Sequence, residues 1–240
     1  MAPMAEYDAY AKFYDATQGP SFAEAHRVLL EKYAPAAGSL LEIACGTGVV
    51  LSHLAPSYKT VAGLDSSRAM LREARRKLPH ARFHHQDMTQ FRLDRTFDAV
   101  ICPYDALNHL LRFGDWRKTF KAVRRHLAPG GVFVFDMNTE FRLAQLAAAP
   151  AGVQDFPGGT MAIDVADEGR GVVAWRLRIF EKRQGQMYRL HRDSIEETAF
   201  HLDRVREALR REFREVRAFD AQGFSRPKRM SRRLYWVSRA

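Results

Sequence analysis

The chain has 240 residues, of which 46% are hydrophobic and 28% charged, the composition of an ordinary globular protein with a full core. Its two cysteines, Cys45 and Cys102, are too few for a disulfide framework or a zinc cluster, and we expect no metal. No apolar run has membrane-spanning length and no signal peptide begins the sequence, so we expect a cytoplasmic protein without a membrane partner.

The formal net charge is +10, and residues 201–240 hold twelve Lys and Arg against five Asp and Glu. Such an excess could attract nucleic acid or another acidic partner. The basic residues are scattered through a predicted helix and two predicted strands rather than grouped in one block. We therefore interpret them as a solvated surface, and a nucleic-acid partner stays open as the alternative.

The predicted elements begin with two helices. Residues 7–16 have aromatic side chains at three- and four-residue spacing, which predicts a helix with one aromatic face. Pro20 precedes a second helix over 22–33, with Ser21 as its N-cap. The aromatic residues of the first helix are Tyr7, Tyr10, Phe13 and Tyr14.

Strands and helices then alternate, which predicts a parallel sheet with helices on both faces. Pro129-Gly130-Gly131 indicates a stop directly before the fifth strand. The predicted strands are 39–44, 60–65, 81–86, 97–102 and 131–136, and the helices are 48–55, 67–78 and 115–127.

After Asp136 the alternation ends. A loop over 147–159 and three hairpin-linked strands over 160–167, 171–181 and 186–200 predict an antiparallel insertion. A helix over 201–212 and strands over 215–220 and 233–238 then resume the main fold. We expect a core of residues 1–140 and 201–240, with residues 141–200 as a lid and possible dimer contact.

One stretch and two carboxylates carry the strongest chemical pattern. The apolar run from Leu40 ends in a turn, Ala44-Cys45-Gly46-Thr47-Gly48, before a helix, and glycine lets a ligand lie directly on the backbone there. The second strand ends in Asp65, and the third is followed by Asp87-Met88. Either Asp alone could be a helix cap, but the three features together are typical of a nucleotide-like cofactor pocket.

This order of acid, glycines, acid and acid resembles the cofactor pocket of class I S-adenosylmethionine (SAM) methyltransferases. The resemblance runs from about Tyr7 to Asp136 and more loosely to the end of the chain. The opening Tyr7-Asp8 to Tyr14-Asp15 is similar to the small-molecule branch that methylates amino sugars and glycine at nitrogen, and to uncharacterised bacterial relatives. The resemblance to class I SAM methyltransferases implies a Rossmann-like α/β fold. Its sheet has seven mostly parallel strands and is closed by an antiparallel hairpin, and the antiparallel insertion follows the fifth strand.

The resemblance and the chemistry of SAM assign roles to single residues. Asp65 should accept hydrogen bonds from the ribose, while Asp87 and the Met88 N–H should bind adenine, with Ser66 and Met70 on its other side. Glu42 suits the end of SAM that carries the positively charged sulfonium. Cys102 ends the fourth strand beside the site, and the resemblance alone makes Tyr14 a contact. The backbone positions of the turn are Ala44, Gly46 and Gly48.

Ala44 stands where the family usually has its first glycine, which is tolerable if the residue needs no positive φ. The turn lacks the third glycine or alanine of a nicotinamide fingerprint, since Leu51 stands there. A dinucleotide dehydrogenase is thereby disfavoured.

Substrate chemistry should lie at the carboxyl ends of the fourth and fifth strands. The segment after the fourth strand holds Tyr104, Asp105 and His109. We predict His109 as a general base, because its ordinary pKa is near neutrality, with Tyr104 and Asp105 orienting the acceptor. The alternative is a structural role, in which His109 caps a helix or begins one that packs on the sheet.

The sequence thus predicts a SAM-dependent methyltransferase that acts on nitrogen or oxygen of a small molecule. One rival is a nucleic-acid, above all RNA, methyltransferase, which the basic C-terminus favours. The motif of Asn or Asp followed by Pro-Pro-aromatic is missing after the fourth strand, which argues against this rival. The other rival is a catalytically silent SAM-binding protein on the same fold.

Overall fold

The computed structural model describes residues 10–18 and 22–240. Its centre is a seven-stranded sheet in the order β10-β11-β5-β4-β1-β2-β3, in which only β11 runs antiparallel to its neighbours. This arrangement confirms the predicted fold class. The strands are β1 Ser39–Ile43, β2 Thr60–Asp65, β3 Arg82–His85, β4 Phe97–Cys102, β5 Leu127–Asn138, β10 Glu215–Asp220 and β11 Arg233–Arg239.

Helices cover both faces of this sheet, because the strands are apolar on both sides. On one face, Trp116 and Phe120 of α5 and Leu209 of α7 are buried against the sheet. On the other face, Leu30 of α2 and Val50 of α3 are buried against it. The helices are α1 Tyr14–Gln18, α2 Ala23–Tyr33, α3 Val49–Leu54, α4 Arg68–Lys77, α5 Phe113–His126, α6 Glu140–Ala147 and α7 Leu202–Arg210.

The insertion forms a second, four-stranded antiparallel sheet in the order β6-β7-β8-β9. One face packs on the start of the described chain, where Tyr10 and Phe13 meet Met161 and Ile179. The strands are β6 Gly152–Phe156, β7 Gly159–Gly169, β8 Val172–Lys182 and β9 Tyr188–Thr198. No helix within the described ranges is long and apolar enough to cross a membrane.

Three local predictions are wrong. Residues 10–13 form a turn and α1 begins only at Tyr14; residues 7–9 and the predicted cap Ser21 lie outside the described residues. The predicted loop over 147–159 contains β6, which forms because it pairs with the edge of β7. Pro129-Gly130-Gly131 lies inside β5, where the register against β4 shifts.

Helix α6 is absent from the sequence-based prediction. The Thr139 side chain accepts a hydrogen bond from the Arg142 N–H at 3.1 Å, which is an N-cap, and Glu140 stands in the first turn. This cap followed by good helix formers was a readable signal.

Candidate active site

The turn between β1 and α3 supplies the backbone of the site. Gly46 and Gly48 have φ of 50° and 70°, and Ala44 also lies in the left-handed region with φ of 52°. The condition under which alanine is easily tolerated at this position, a residue without positive φ, is therefore not met. This conformation costs an alanine about 1 kcal/mol, which the surrounding buried strands must offset.

Asp65 joins the end of β2 to this turn. One carboxylate oxygen accepts from the Gly46 N–H at 2.8 Å, and the other accepts from the Ser67 N–H at 2.8 Å. Burial raises the pKa of Asp65, and these backbone donors oppose the rise. The carboxylate therefore holds the glycine turn and the start of α4 in one arrangement.

A cleft of about 730 Å³ opens beside Asp65. It brings together eight of the eleven residues predicted to bind the cofactor and two of the three predicted to be catalytic. The cofactor group is Tyr14, Glu42, Ala44, Gly46, Asp65, Ser66, Met70 and Met88, and the catalytic pair is Tyr104 and His109. We call this the first cleft.

The other three predicted cofactor residues do not line the first cleft. Gly48 faces α4, and a Cβ added to it would meet the Ala74 Cβ at 3.4 Å. Asp87 is exposed, and its side chain accepts a hydrogen bond from the Thr89 N–H at 2.7 Å. This is an Asx turn, a local role like that of a helix cap. Cys102 is fully buried at the end of β4, and both cysteines are free thiols.

Glu42 tests whether the first cleft fits SAM. It is buried, and its Oε2 finds no hydrogen-bond partner among the described residues. Burial raises the pKa of Glu42 well above its usual range, and the charge of Asp65 adds to this rise. A buried carboxyl in this state is stabilised by a cationic ligand with donors, and SAM carries an ammonium and a sulfonium. The residues present therefore fit the cofactor.

Helix α1 is fixed over the first cleft. Asp15 accepts hydrogen bonds from Thr47 in the glycine turn and from Lys77 of α4. Tyr14 then lies beside Tyr104, with ring centroids 6.3 Å apart. Burial raises the pKa of Tyr14 well above its usual range, so its phenol stays protonated at neutral pH.

A second cleft of about 1,020 Å³ adjoins the first, and the two share Tyr14, Tyr104 and His109. The inner face of the insertion sheet forms its apolar wall. Its apolar residues include Ile163, Trp175, Leu177 and Ile195, and its charged residues are Asp105, Arg142, Glu197 and Arg233.

The segment after β4 is held in an unusual conformation between the clefts. Tyr104 and Asp105 have φ of 58° and 47°. The Asp105 N–H donates to Asp136 at 3.0 Å, and Arg233 donates to the Asp105 carboxylate at 2.9 Å. These bonds compensate the strain of two consecutive left-handed residues.

Arg233 is the centre of this network. It also pairs with Asp136, and its guanidinium lies 4.3 Å from the centroid of the Phe22 ring. Burial alone would lower the pKa of Arg233, but the carboxylates of Asp105 and Asp136 raise it above the ordinary value. Sequence reasoning missed Arg233 and Glu197, because they lie far along the chain from Asp105 and belong to no local motif.

His109 lies where both clefts meet. Its Nδ1 is 3.1 Å from the Glu196 carbonyl oxygen. A carbonyl can only accept, so Nδ1 donates, and the neutral ring then carries its lone pair on Nε2. This tautomer is the one a general base needs if Nε2 faces the acceptor.

Comparison with known proteins agrees with this geometry. Residues 40–131 match the model of the methyltransferase domain family. The chain is 34% identical over 187 residues to a dTDP-3-amino-3,6-dideoxy-alpha-D-glucopyranose N,N-dimethyltransferase of Streptomyces fradiae, covering 74% of this chain and 72% of the relative. The chain belongs to the SAM-dependent methyltransferase family.

Solved structures extend the match over nearly all of the 240 residues. Streptomyces venezuelae DesVI superposes with a TM-score of 0.79 at 27% identity, over 97% of this chain and 98% of that one. A sugar N-methyltransferase from Streptoalloteichus sp. gives a TM-score of 0.78 at 25% identity, over 100% of this chain and 95% of that one. The methyltransferase is thus an enzyme with SAM as its cofactor and a small molecule as its methyl acceptor.

Proposed function

We propose that this methyltransferase transfers methyl groups from SAM to the amino nitrogen of a nucleotide-linked amino sugar. The observation that carries the proposal is the second cleft, which opens onto the first at Tyr14, Tyr104 and His109. Its wall holds buried carboxyls and also Arg142, which has no ion pair among the described residues. A cleft with both charges complements an acceptor that has an amine and a diphosphate.

In the first cleft we assign the cofactor contacts by chemistry. Asp65 would bind the ribose hydroxyls, Met88 the adenine edge, and Glu42 the cationic end of SAM. When bound, SAM supplies an electrophilic methyl group on a cationic sulfur. The left-handed backbone at Gly46 leaves room for the ligand against the turn.

The chain's own residues then align and deprotonate the acceptor. Bound SAM would supply its methyl carbon in line with the nitrogen lone pair, and the electrons of the bond from carbon to sulfur would stay on sulfur. We assign His109 Nε2 to take the proton that the nitrogen loses, while Tyr104 and Asp105 orient the acceptor. Most of the rate gain comes from alignment in this scheme.

The insertion is assigned the role of a lid. Residues 141–200 supply α6 and the sheet whose inner face walls the second cleft. Residues 1–140 and 201–240 form the cofactor-binding core in this scheme. We also assign the enzyme to the cytoplasm, where its two thiols would stay reduced.

The outer face of the insertion sheet is assigned to a homodimer contact. Val153 is 73% exposed, and Leu190 lies opposite Phe180 on the same face. Exposed apolar side chains on a sheet face can be covered by a second subunit, which is the basis of this assignment.

The function is tested by incubating the protein with SAM and dTDP-3-amino-3,6-dideoxy-alpha-D-glucopyranose, and following the product by mass spectrometry. We expect products heavier by one and by two methyl groups. The corresponding 3-hydroxy sugar nucleotide and total RNA are the controls. Methylation of RNA or of the hydroxy sugar, with none of the amino sugar, would contradict the proposal.

A further inference from the structure

Glu197 is a buried carboxyl in the wall of the second cleft. It lies on β9 and is 4% exposed. One of its oxygens accepts from the Asn138 side-chain amide at 3.1 Å. Asn138 also donates to Asp105, so the carboxyls of Glu197 and Asp105 are held close together on one side of the cleft.

The two carboxyls differ in their ion pairs among the described residues. Arg233 pairs with Asp105 and Asp136. Across residues 10–18 and 22–240, no basic side chain lies within ion-pair distance of Glu197. Burial raises the pKa of Glu197 well above its usual range, and the charge of Asp105 raises it further. Asp105 and Glu197 therefore lie side by side in the cleft, and of the two only Asp105 has a cation within ion-pair distance among the described residues.

We propose that Glu197, together with Asp105, recognises the acceptor's ammonium group and makes the cleft select amines over hydroxyls. This proposal rests on the proposed function and assigns its specificity to one named residue. Glu197 is offered as a specificity-determining residue, and His109 remains the group assigned to the proton transfer.

The chemistry of the two acceptors explains the selection. An ammonium carries three N–H donors and a positive charge, so it can bond to both carboxyls and favours their charged form. A hydroxyl at the same position has one donor and no charge, so it can donate to only one of the two carboxyls. Charge-assisted hydrogen bonds are about twice as strong as neutral ones.

Binding of two matched ligands tests the proposal. Calorimetry with S-adenosylhomocysteine present compares dTDP-3-amino-3,6-dideoxy-alpha-D-glucopyranose with its 3-hydroxy counterpart. The wild-type protein should bind the amine about tenfold or more tightly than the hydroxy sugar. Glu197→Gln should lose most of this preference while its affinity for the hydroxy sugar stays within about twofold of wild type.

Glu168→Gln is the control, because Glu168 lies on the same sheet and is partly exposed in an ion pair with Arg176. It should keep the wild-type preference. An S-adenosylhomocysteine affinity equal to that of wild type shows that Glu197→Gln is folded.

Two results would overturn the proposal while leaving the function intact. One is a wild-type protein that binds both sugars equally, a measurement that needs no variant. The other is a Glu197→Gln variant that keeps the preference or loses both ligands alike. If neither sugar binds the wild-type protein, the proposed function fails, and this inference fails with it.

Discussion

At the scale of single residues, Asp65 is the best test of the first cleft. Asp65→Ala removes the acceptor of the Gly46 and Ser67 N–H groups and a wall of the cleft. Buried groups left unpaired cost about 1–3 kcal/mol each, so SAM affinity measured by calorimetry should fall about tenfold or more. The exposed Asp94→Ala is the matched control. An unchanged SAM affinity in folded Asp65→Ala would refute the assignment.

His109 tests whether a general base is used. His109→Asn keeps an amide that can donate to the Glu196 carbonyl but removes the titratable nitrogen. We expect turnover to fall about 10²–10⁴-fold while SAM binding stays intact. A fall of less than about threefold would show that alignment alone suffices and that His109 is structural.

At the scale of elements, Asp98 joins β4 to β1. Its Oδ2 accepts from the Gly38 N–H at 3.0 Å, the Ser39 N–H at 2.9 Å and the Ser39 hydroxyl at 2.7 Å. Asp98→Ala leaves these three donors without their acceptor at the start of the central strand. The free energy of unfolding in urea should fall by about 1–2 kcal/mol at pH 7, and Asp94→Ala should change it little.

The same side chain makes a pH dependence predictable. The Ser39 hydroxyl lowers the pKa of Asp98 in the folded state, and backbone donors add to this effect. A lowered folded pKa gives stability that is complete above the unfolded value of about 3.9 and is lost as pH falls through the folded value. The difference between wild type and Asp98→Ala should therefore shrink at about pH 3. A difference that is equal at both pH values would contradict this account.

At the scale of the whole molecule, the proposed homodimer contact on the outer face of the insertion sheet can be tested. Light scattering after size exclusion should give the mass of a dimer for wild type. Val153→Lys combined with Leu190→Lys places charge on that face and should give a monomer that still binds SAM. Lys59→Ala is the control, because Lys59 is exposed and lies outside the insertion, and this variant should remain dimeric. A wild-type monomer at micromolar concentration would end the dimer proposal.

The alternating part of the chain could be predicted because its signals are local. β2, β4 and β10 have the predicted bounds, and most other strands and helices differ by one or two residues. Apolar runs that end in turn residues depend only on neighbours in sequence. Strand β6 failed because it exists through its pairing with β7, whereas α6 was missed although its cap at Thr139 is local.

The two clefts differ in the same way, since the residues of the first follow local signals and those of the second do not. The sequence by itself determined the first cleft, because the glycine turn, Asp65 and Met88 follow successive strands whose carboxyl ends meet at one edge. Only the tertiary structure decided the second cleft. Strand β11 returns antiparallel beside β5 and places Arg233 opposite Asn138, while β9 brings Glu197 to the same Asn138. Charges that meet only through such long-range pairing leave no periodic or local pattern in the sequence.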